Sequence, residues 1–258
     1  MNAWIISIGN ELLIGKTVNT NATWLAKKLT ELGIRVERII TVPDDIAVVS
    51  EIFKEAINSA DVIISTGGLG PTFDDITNIA LAKALNRELV INEKAYQEIK
   101  DKYSKAGLPL TEERIKMSKM PRGAKSLYNP IGTAPGILVK EKNKVIVALP
   151  GVPNEMKAIF NKHVEPIIRK EERQVFLSKS LIVTGLPEST LAPIINKVMN
   201  KTEGVYIKSH PKGEELKNPI IEVHITALGK EDAYSEIEKA IKIITEEVKS
   251  AGGTVHIW

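Results

Sequence analysis

Along the first part of the chain, short apolar runs alternate with stretches whose apolar residues recur at helical spacing. Residues 3–9 (AWIISIG) form an apolar run ending at glycine, the pattern of a strand buried on both faces. Over 18–32, Trp24, Leu25, Leu29 and Leu32 fall at helical spacing, and Gly33 stops the helix. Residues 34–42 read as a second strand, closed by Pro43. Asp44 and Asp45 cap a helix running to about residue 60, and 61–66 (DVIIST) is a third strand leading into Gly67-Gly68. A helix is expected over 72–85, and helical spacing returns at 92–106 and 111–119. Strand patterns follow at 136–140 and 144–149, then a helix from about Pro153. Repeated β-α-β units with short loops predict a mostly parallel, doubly wound α/β sheet.

The pattern changes near Glu165-Pro166. Residues 174–184 read as a strand, 188–200 as a helix, 205–209 and 220–227 as strands, 230–250 as a long amphipathic helix and 254–258 as a last strand. That is a small α+β module, so two domains are predicted, 1–165 and 166–258. The charged run Arg169-Lys170-Glu171-Glu172-Arg173 past the boundary reads as the solvated end of a helix.

Composition narrows the classes. The 258 residues are 43% hydrophobic, enough for sizeable cores. The 35 Lys+Arg against 32 Asp+Glu leave +3. The excess lies wholly in 1–165, with 22 basic and 19 acidic residues, while 166–258 balance at 13 and 13. Nucleic acid is therefore not an expected partner, because backbone binding rests on Lys and Arg neutralising phosphates. The absence of cysteine excludes disulfides, Cys-ligated zinc, iron–sulfur clusters and a thiol nucleophile. The opening MNAWII has no basic n-region, and no run of about 18 apolar residues exists. A cytoplasmic protein without a membrane span is expected. The four histidines, His163, His210, His224 and His256, are scattered and read as structural or exposed, and no G-x-S-x-G elbow occurs.

In an open parallel sheet, ligands collect where loops leave the carboxyl ends of strands. Three loops there are unusual. The first, Gly9 to Asn21 (GNELLIGKTVNTN), combines two glycines, Glu11, Lys16 and the amides of Asn19 and Asn21. Thr17 or Asn19 also suits an ordinary helix N-cap. The second, TGGLGPTFDDIT over 66–77, offers Gly67, Gly68 and Gly70 for close backbone approach to an oxyanion, at a helix start. It is neither a Walker A loop nor a G-x-G-x-x-G fingerprint. Asp75 is spaced to cap Thr72, yet Asp74 and Asp75 beside a phosphate would repel it unless a hard divalent cation lay between. The third, NPIGTAPG over 129–136, is followed one strand later by LPGVPNEM over 149–156. Both also suit plain turn chemistry.

Taken in order, GNELLIGKTVNTN, TGGLGPTFDDIT, NPIGTAPG and LPGVPNEM resemble the N-terminal domain of the CinA (competence/damage-inducible protein) family, a branch of the molybdopterin-binding fold shared with MogA, MoaB and MoeA. The resemblance covers almost the whole first part. It implies a three-layer αβα domain in which Gly67, Gly68, Gly70 and Thr72 cradle phosphate. Asp75 falls on the superfamily's acidic position, Asp74 is the CinA branch's added carboxylate, and Glu11, Asn19 and Asn21 fall on the first-loop motif. Asn129, Gly132, Thr133 and Gly136 would form the facing wall. The second part resembles, in architecture, the small KH-type module that follows this domain. It holds no Gly-x-x-Gly, the loop that clamps nucleic acid in KH domains, so packing or dimerisation is the expected role. The basic loop of Lys208, His210 and Lys212 reads as surface.

The family implies metal-dependent hydrolysis of an ADP-ribose-like or FAD-like pyrophosphate. The cofactor expected is a divalent ion, Mg²⁺, Mn²⁺ or Co²⁺, and a monovalent cation such as K⁺ is a further candidate. Asp74, Asp75 and Glu11 would be catalytic, with the metal on Asp74 and Asp75 and Lys16 as a phosphate clamp. Pterin binding in cofactor biosynthesis is the alternative, weakened because Asn19 stands where pterin-handling relatives have an acidic residue. An RNA-associated regulatory module is the third reading. The partners implied are a small nucleotide-type or pterin ligand and further copies in a homo-oligomer. Full CinA proteins continue into a nicotinamide-mononucleotide deamidase domain, for which 258 residues leave no length, so a deamidase is not expected.

Overall fold

The computed structural model describes residues 1–171, 175–214, 217–229 and 232–257. The chain divides into two compact units, Met1–Thr30 with Ile34–Glu172, and Glu31–Gly33 with Arg173–Trp258.

The first unit is built on a six-stranded sheet. In chain order its elements are β1 (Asn2–Ile8), α1 (Asn10–Leu13), α2 (Thr20–Glu31), β2 (Arg35–Val42), α3 (Ile46–Ser59), β3 (Val62–Thr66) and α4 (Thr77–Ala84). There follow β4 (Leu89–Ile91), α5 (Glu93–Lys105), α6 (Glu112–Lys116), β5 (Lys119–Pro121), β6 (Lys125–Leu127), β7 (Gly136–Glu141), β8 (Lys144–Leu149) and α7 (Pro153–Ile159). A single π-helical stretch (Phe160–Val164) then leads into α8 (Glu165–Glu171). The strand order is β2-β1-β3-β8-β7-β6. The pairs β1/β2, β1/β3 and β3/β8 are parallel, whereas β7 runs antiparallel to both β8 and β6.

The apolar runs explain the layering. Strand β3 is buried throughout and β1 from Ala3 onward, which is possible only where both faces are covered. On one face, Trp4, Ile6 and Ile63 join Val49, Phe53, Leu81 and Ile99 of α3, α4 and α5 in a single core cluster. The alternate residues Ala3 and Ile5 point the other way and are equally buried. The buried residues of α2 (Ala22, Leu25 and Leu29) and of α7 (Met156 and Ile159) lie outside the first cluster and form the second helical layer. The domain is a three-layer αβα sandwich on a mostly parallel sheet.

Two expectations shift. The helix expected from Thr72 begins at Thr77, because Thr72 and Asp75 close a turn of their own and the chain does not continue from it as helix. The boundary expected at Glu165-Pro166 falls inside a helix, and the units divide at Glu172/Arg173. Pro166 has no N–H to donate, but it follows the π-helical stretch, where the regular ladder is already interrupted. Of the charged run, Arg169 pairs with Glu165 on the exposed side of α8, while Glu172 and Arg173 lie outside the described residues.

The second unit comprises β9 (Val175–Thr184), α9 (Glu188–Lys201), β10 (Val205–Pro211), β11 (Ile220–Gly229), α10 (Asp232–Ser250) and β12 (Thr254–Ile257). The expected limits Gln174, Lys230 and Trp258 lie outside the described residues. The sheet is antiparallel, in the order β10-β11-β9-β12. This βαββαβ order is the split-βαβ, ferredoxin-like plan, and nothing in it is specific to a KH-type module. Leu181, Val183, Val223 and Ile225 pack with Leu191, Ile195, Ile237 and Ile244 in a separate core. No helix among the described residues is long and apolar enough to cross a membrane.

Candidate functional site

Because β2, β1, β3 and β8 are parallel, their carboxyl ends share one edge. The register places Ser7 opposite Thr66, Ile8 opposite Val42 and Thr66 opposite Leu149. The loops leaving these strands therefore start side by side, and they enclose a cavity of about 380 Å³. Its walls come from Gly9 and Glu11 after β1, Asp44 after β2, the stretch Gly67–Thr72 with Asp74 and Asp75 after β3, and Pro150, Gly151, Val152 and Glu155 after β8. Thr133, Ala134 and Met117 complete it.

Glycine is required in these loops for two different reasons. Gly67 and Gly68 have φ of +106° and +67°, left-handed values that other residues rarely adopt. A Cβ on Gly67 would collide with the Ile8 carbonyl, and one on Gly68 with the Thr77 hydroxyl. Elsewhere the missing Cβ makes room for a carboxylate. A Cβ on Gly9 would lie 2.5 Å from Glu11 Oε1, one on Gly70 would lie 2.6 Å from Asp75 Oδ2, and one on Gly132 would overlap Glu155. The N–H groups of Gly68, Leu69 and Gly70 carry no backbone or side-chain hydrogen bond among the described residues. Successive free N–H groups in a turn make a concave site for an anion.

The charge of the cavity is one-sided. Glu11, Asp44, Asp74, Asp75 and Glu155 line it, and among the described residues no lysine or arginine does. Asp44 shows the result. Burial pushes its carboxyl above the ordinary range, and the charges of Glu11, Asp74 and Asp75 push the same way, against the Asn10 N–H that donates to Asp44 Oδ2 at 2.8 Å. Asp75 Oδ2 accepts from the Thr72 N–H at 2.8 Å and from its hydroxyl at 2.5 Å, and the same hydroxyl also contacts Asp74. The Asp75 cap of Thr72 is thus formed, while both carboxylates still line the cavity. Five hard oxygen donors without a cationic side chain suit a divalent ion in kind. No group of three or more metal-ligating side chains converges among the described residues. Two carboxylates completed by ligand oxygens and water, as Mg²⁺ commonly accepts, is the arrangement that fits.

A smaller hollow of about 100 Å³ adjoins the cavity and shares Ile8, Glu11, Gly67 and Gly151 with it. Asn19 and Asn21 line this hollow instead. Asn19 Oδ1 accepts from the Ala22 N–H at 3.1 Å, capping α2, while its amide donates to Ser7 Oγ at 2.9 Å. Asn21 donates to Thr66 Oγ1 at 3.0 Å and to the Gly151 carbonyl at 2.8 Å, tying the β3 and β8 loops together. Its Oδ1 is buried without a partner.

Four expected site residues line neither hollow. Lys16 is exposed, and its backbone N–H donates to the Glu11 carbonyl. Gly136 is buried in β7, where a Cβ would meet the Ala148 carbonyl at 3.2 Å. Asn129 is fully buried. Its Oδ1 accepts from the N–H groups of Ile131 and Gly132, and its amide donates to Glu155 Oε2 at 2.6 Å. Asn129 and Gly132 therefore shape the loop and hold Glu155, and neither lines the cavity. Lys102 clamps the same loop through the Asn129 and Gly132 carbonyls, and burial lowers its pKa.

Sequence reasoning missed Asp44 and Glu155 as lining groups. Asp45 caps α3 by accepting from the N–H groups of Ala47 and Val48, so its neighbour Asp44 is left for another role. Glu155 lay inside the quoted LPGVPNEM stretch.

The family described as probable molybdopterin binding domain matches residues 4–170. A protein of Pyrobaculum aerophilum is 52% identical over 250 residues, covering 96% of this chain and 94% of the relative. One from Aeropyrum pernix is 44% identical over 256 residues, covering 98% and 96%. Among solved structures, the protein CinA of Thermoplasma acidophilum, of unknown function, is 42% identical with a TM-score of 0.61, over 64% of this chain and 97% of that one. The match from Trp4 to Lys170 falls on the unit that holds the cleft, and the chain belongs to the molybdopterin-binding domain family.

Proposed function

We propose that the first unit hydrolyses the pyrophosphate bond of a nucleotide-type ligand with the help of a divalent cation. The observation that carries this reading is the juxtaposition in one cavity of five carboxylates and three free, successive backbone N–H groups. Carboxylates alone would repel a phosphate, and free N–H groups alone would bind it without a cation. When bound, the metal supplies charge neutralisation and a water of lowered pKa.

The chain's own residues then have distinct tasks. Asp74 and Asp75 hold the cation. The N–H groups of Gly68, Leu69 and Gly70 receive phosphate oxygens and stabilise charge developing on them. Glu11 and Glu155, which line the same cavity, accept a proton from water as it adds to phosphorus and the bridging P–O bond breaks. Asn129 orients Glu155 through its amide. Incubation with ADP-ribose or FAD and Mg²⁺, Mn²⁺ or Co²⁺ is expected to release AMP. No AMP with any of the three metals overturns the reading.

The family itself favours a second reading, binding of a molybdopterin precursor in cofactor assembly. Calorimetry with such a precursor tests it. Tight binding without metal, together with no AMP from either nucleotide, would select it over hydrolysis.

A further inference from the structure

Large apolar side chains exposed one at a time need no explanation, but a concentration of them does. Of the twelve such side chains among the described residues, Leu13, Ile14, Val18, Phe73, Ile131 and Val152 lie on the four loops around the cleft. Phe73 is the extreme case, with 93% of its surface exposed. Its chain neighbours Thr72 and Asp74 both line the cavity. The loop that carries it is fixed, since Thr72 donates twice to Asp75 and its carbonyl accepts from Lys116 Nζ. Val152 lines the cavity and is still 53% exposed, and Ile131 precedes the Gly132–Glu155 contact. The cavity is thus acidic and polar inside with an apolar aromatic at its rim.

We infer that this rim is a ring-binding subsite, in which a flat heteroaromatic group of the ligand stacks on Phe73 while its pyrophosphate enters the cavity. The inference rests on the reading of the cavity as a nucleotide pyrophosphate site, and it assigns the base of that ligand to one residue, Phe73. A ring held on a fixed loop loses little freedom on binding, which suits a stacking platform. The other occupant of such a rim, a second copy of the chain, is an outcome of the test.

Binding to the full chain with Mn²⁺, read by stopped flow before turnover, with ADP-ribose and ringless inorganic pyrophosphate as probes, decides the matter. Phe73→Ala is expected to weaken ADP-ribose about tenfold, towards the lower end of what a stacked base contributes, and to leave pyrophosphate unchanged. Phe73→Trp is expected to keep ADP-ribose affinity, with its indole fluorescence quenched on binding. Equal affinity of wild type and Phe73→Ala for ADP-ribose, or parallel loss of both probes, overturns the inference. So does a change in sedimentation of Phe73→Ala without a change in ADP-ribose affinity, which gives the rim to a second copy. Wild type that binds pyrophosphate but not ADP-ribose refutes the ring subsite alone. Wild type that binds neither refutes the pyrophosphate reading, and the ring subsite with it.

Discussion

The two units use similar materials to different ends. Each lays helices on a sheet and buries a contiguous core. In the first, four neighbouring parallel strands end at one edge, so their loops gather there and enclose about 380 Å³. In the second, every pair is antiparallel, so chain ends and turns are shared between both edges of the sheet. The hollow among Glu188, Pro211 and Ile220 amounts to only about 30 Å³. The charge follows the same division. Five carboxylates line the cleft of the first unit, whereas the face of the second sheet that carries Lys208, His210, Glu222 and His224 holds charges of both signs, in Lys208 and Glu222. Strand direction, more than composition, decides where a site can form.

The largest effect expected is on the cores. Phe53 is fully buried among Trp4, Val49 and Leu81 in the first unit. Phe53→Ala should cost about 3–5 kcal/mol. Hydrogen exchange read element by element should show protection falling across β1, β3 and α3 but not across β9 and β11. Equal loss in both sets would show that the two cores unfold as one.

Chemistry comes next. Glu155→Gln keeps an oxygen for the Asn129 amide and removes only the charge. With Asp75→Asn, it is expected to lower AMP release a hundredfold or more, the scale of several kcal/mol of charge stabilisation. Glu222→Gln in the second unit should leave the rate unchanged. A loss under tenfold in both cleft variants would remove these carboxylates from the reaction.

Much of this comparison was legible in the residues. The buried strands β1 and β3 showed as unbroken apolar runs, and the glycine-rich loops showed as motifs. The strands β4, β5 and β6, of three residues each, are too short to display any period. The motif puts Gly132 on the facing wall of the site, where its missing Cβ makes room for Glu155, and it does not reveal that Gly70, besides lining the cavity, leaves room for Asp75. Spacing shows that a loop is unusual, but not whether its glycine faces a phosphate or a neighbouring side chain. Asp44 was hidden by an adequate local explanation, because a helix cap needs only one of two adjacent aspartates.

Metal should separate the units further. At a Mn²⁺ concentration of about a hundred times its Kd, a site in the folded cleft stabilises by about 2.7 kcal/mol. The gain should appear as slower exchange in the Gly67–Asp75 loop, not in the second sheet, and should vanish in a variant carrying both Asp74→Asn and Asp75→Asn. Equal protection of both units, or protection that survives the double variant, would place the ion elsewhere.

The smallest effect isolates the repulsion that the cleft imposes on itself. Asp44 is held above the ordinary carboxylate range by burial and by Glu11, Asp74 and Asp75. Between its ordinary and its raised value, the folded chain holds more protons than the unfolded chain. Stability contributed by this group therefore falls as pH rises through that window. At neutral pH the charged Asp44 is a burden that asparagine lacks, and the side-chain oxygen of asparagine still accepts from the Asn10 N–H. Asp44→Asn should raise Tm near neutral pH, by no more than about 2–4 °C because the group is only partly buried and solvent screens its interactions. The gain should disappear in strong acid, where both chains are neutral at this position. Saturating Mn²⁺ should also reduce it, since a cation in the cleft relieves the repulsion that the substitution removes. A gain that persists in strong acid would trace to packing at residue 44, and one untouched by Mn²⁺ would separate Asp44 from the proposed ion.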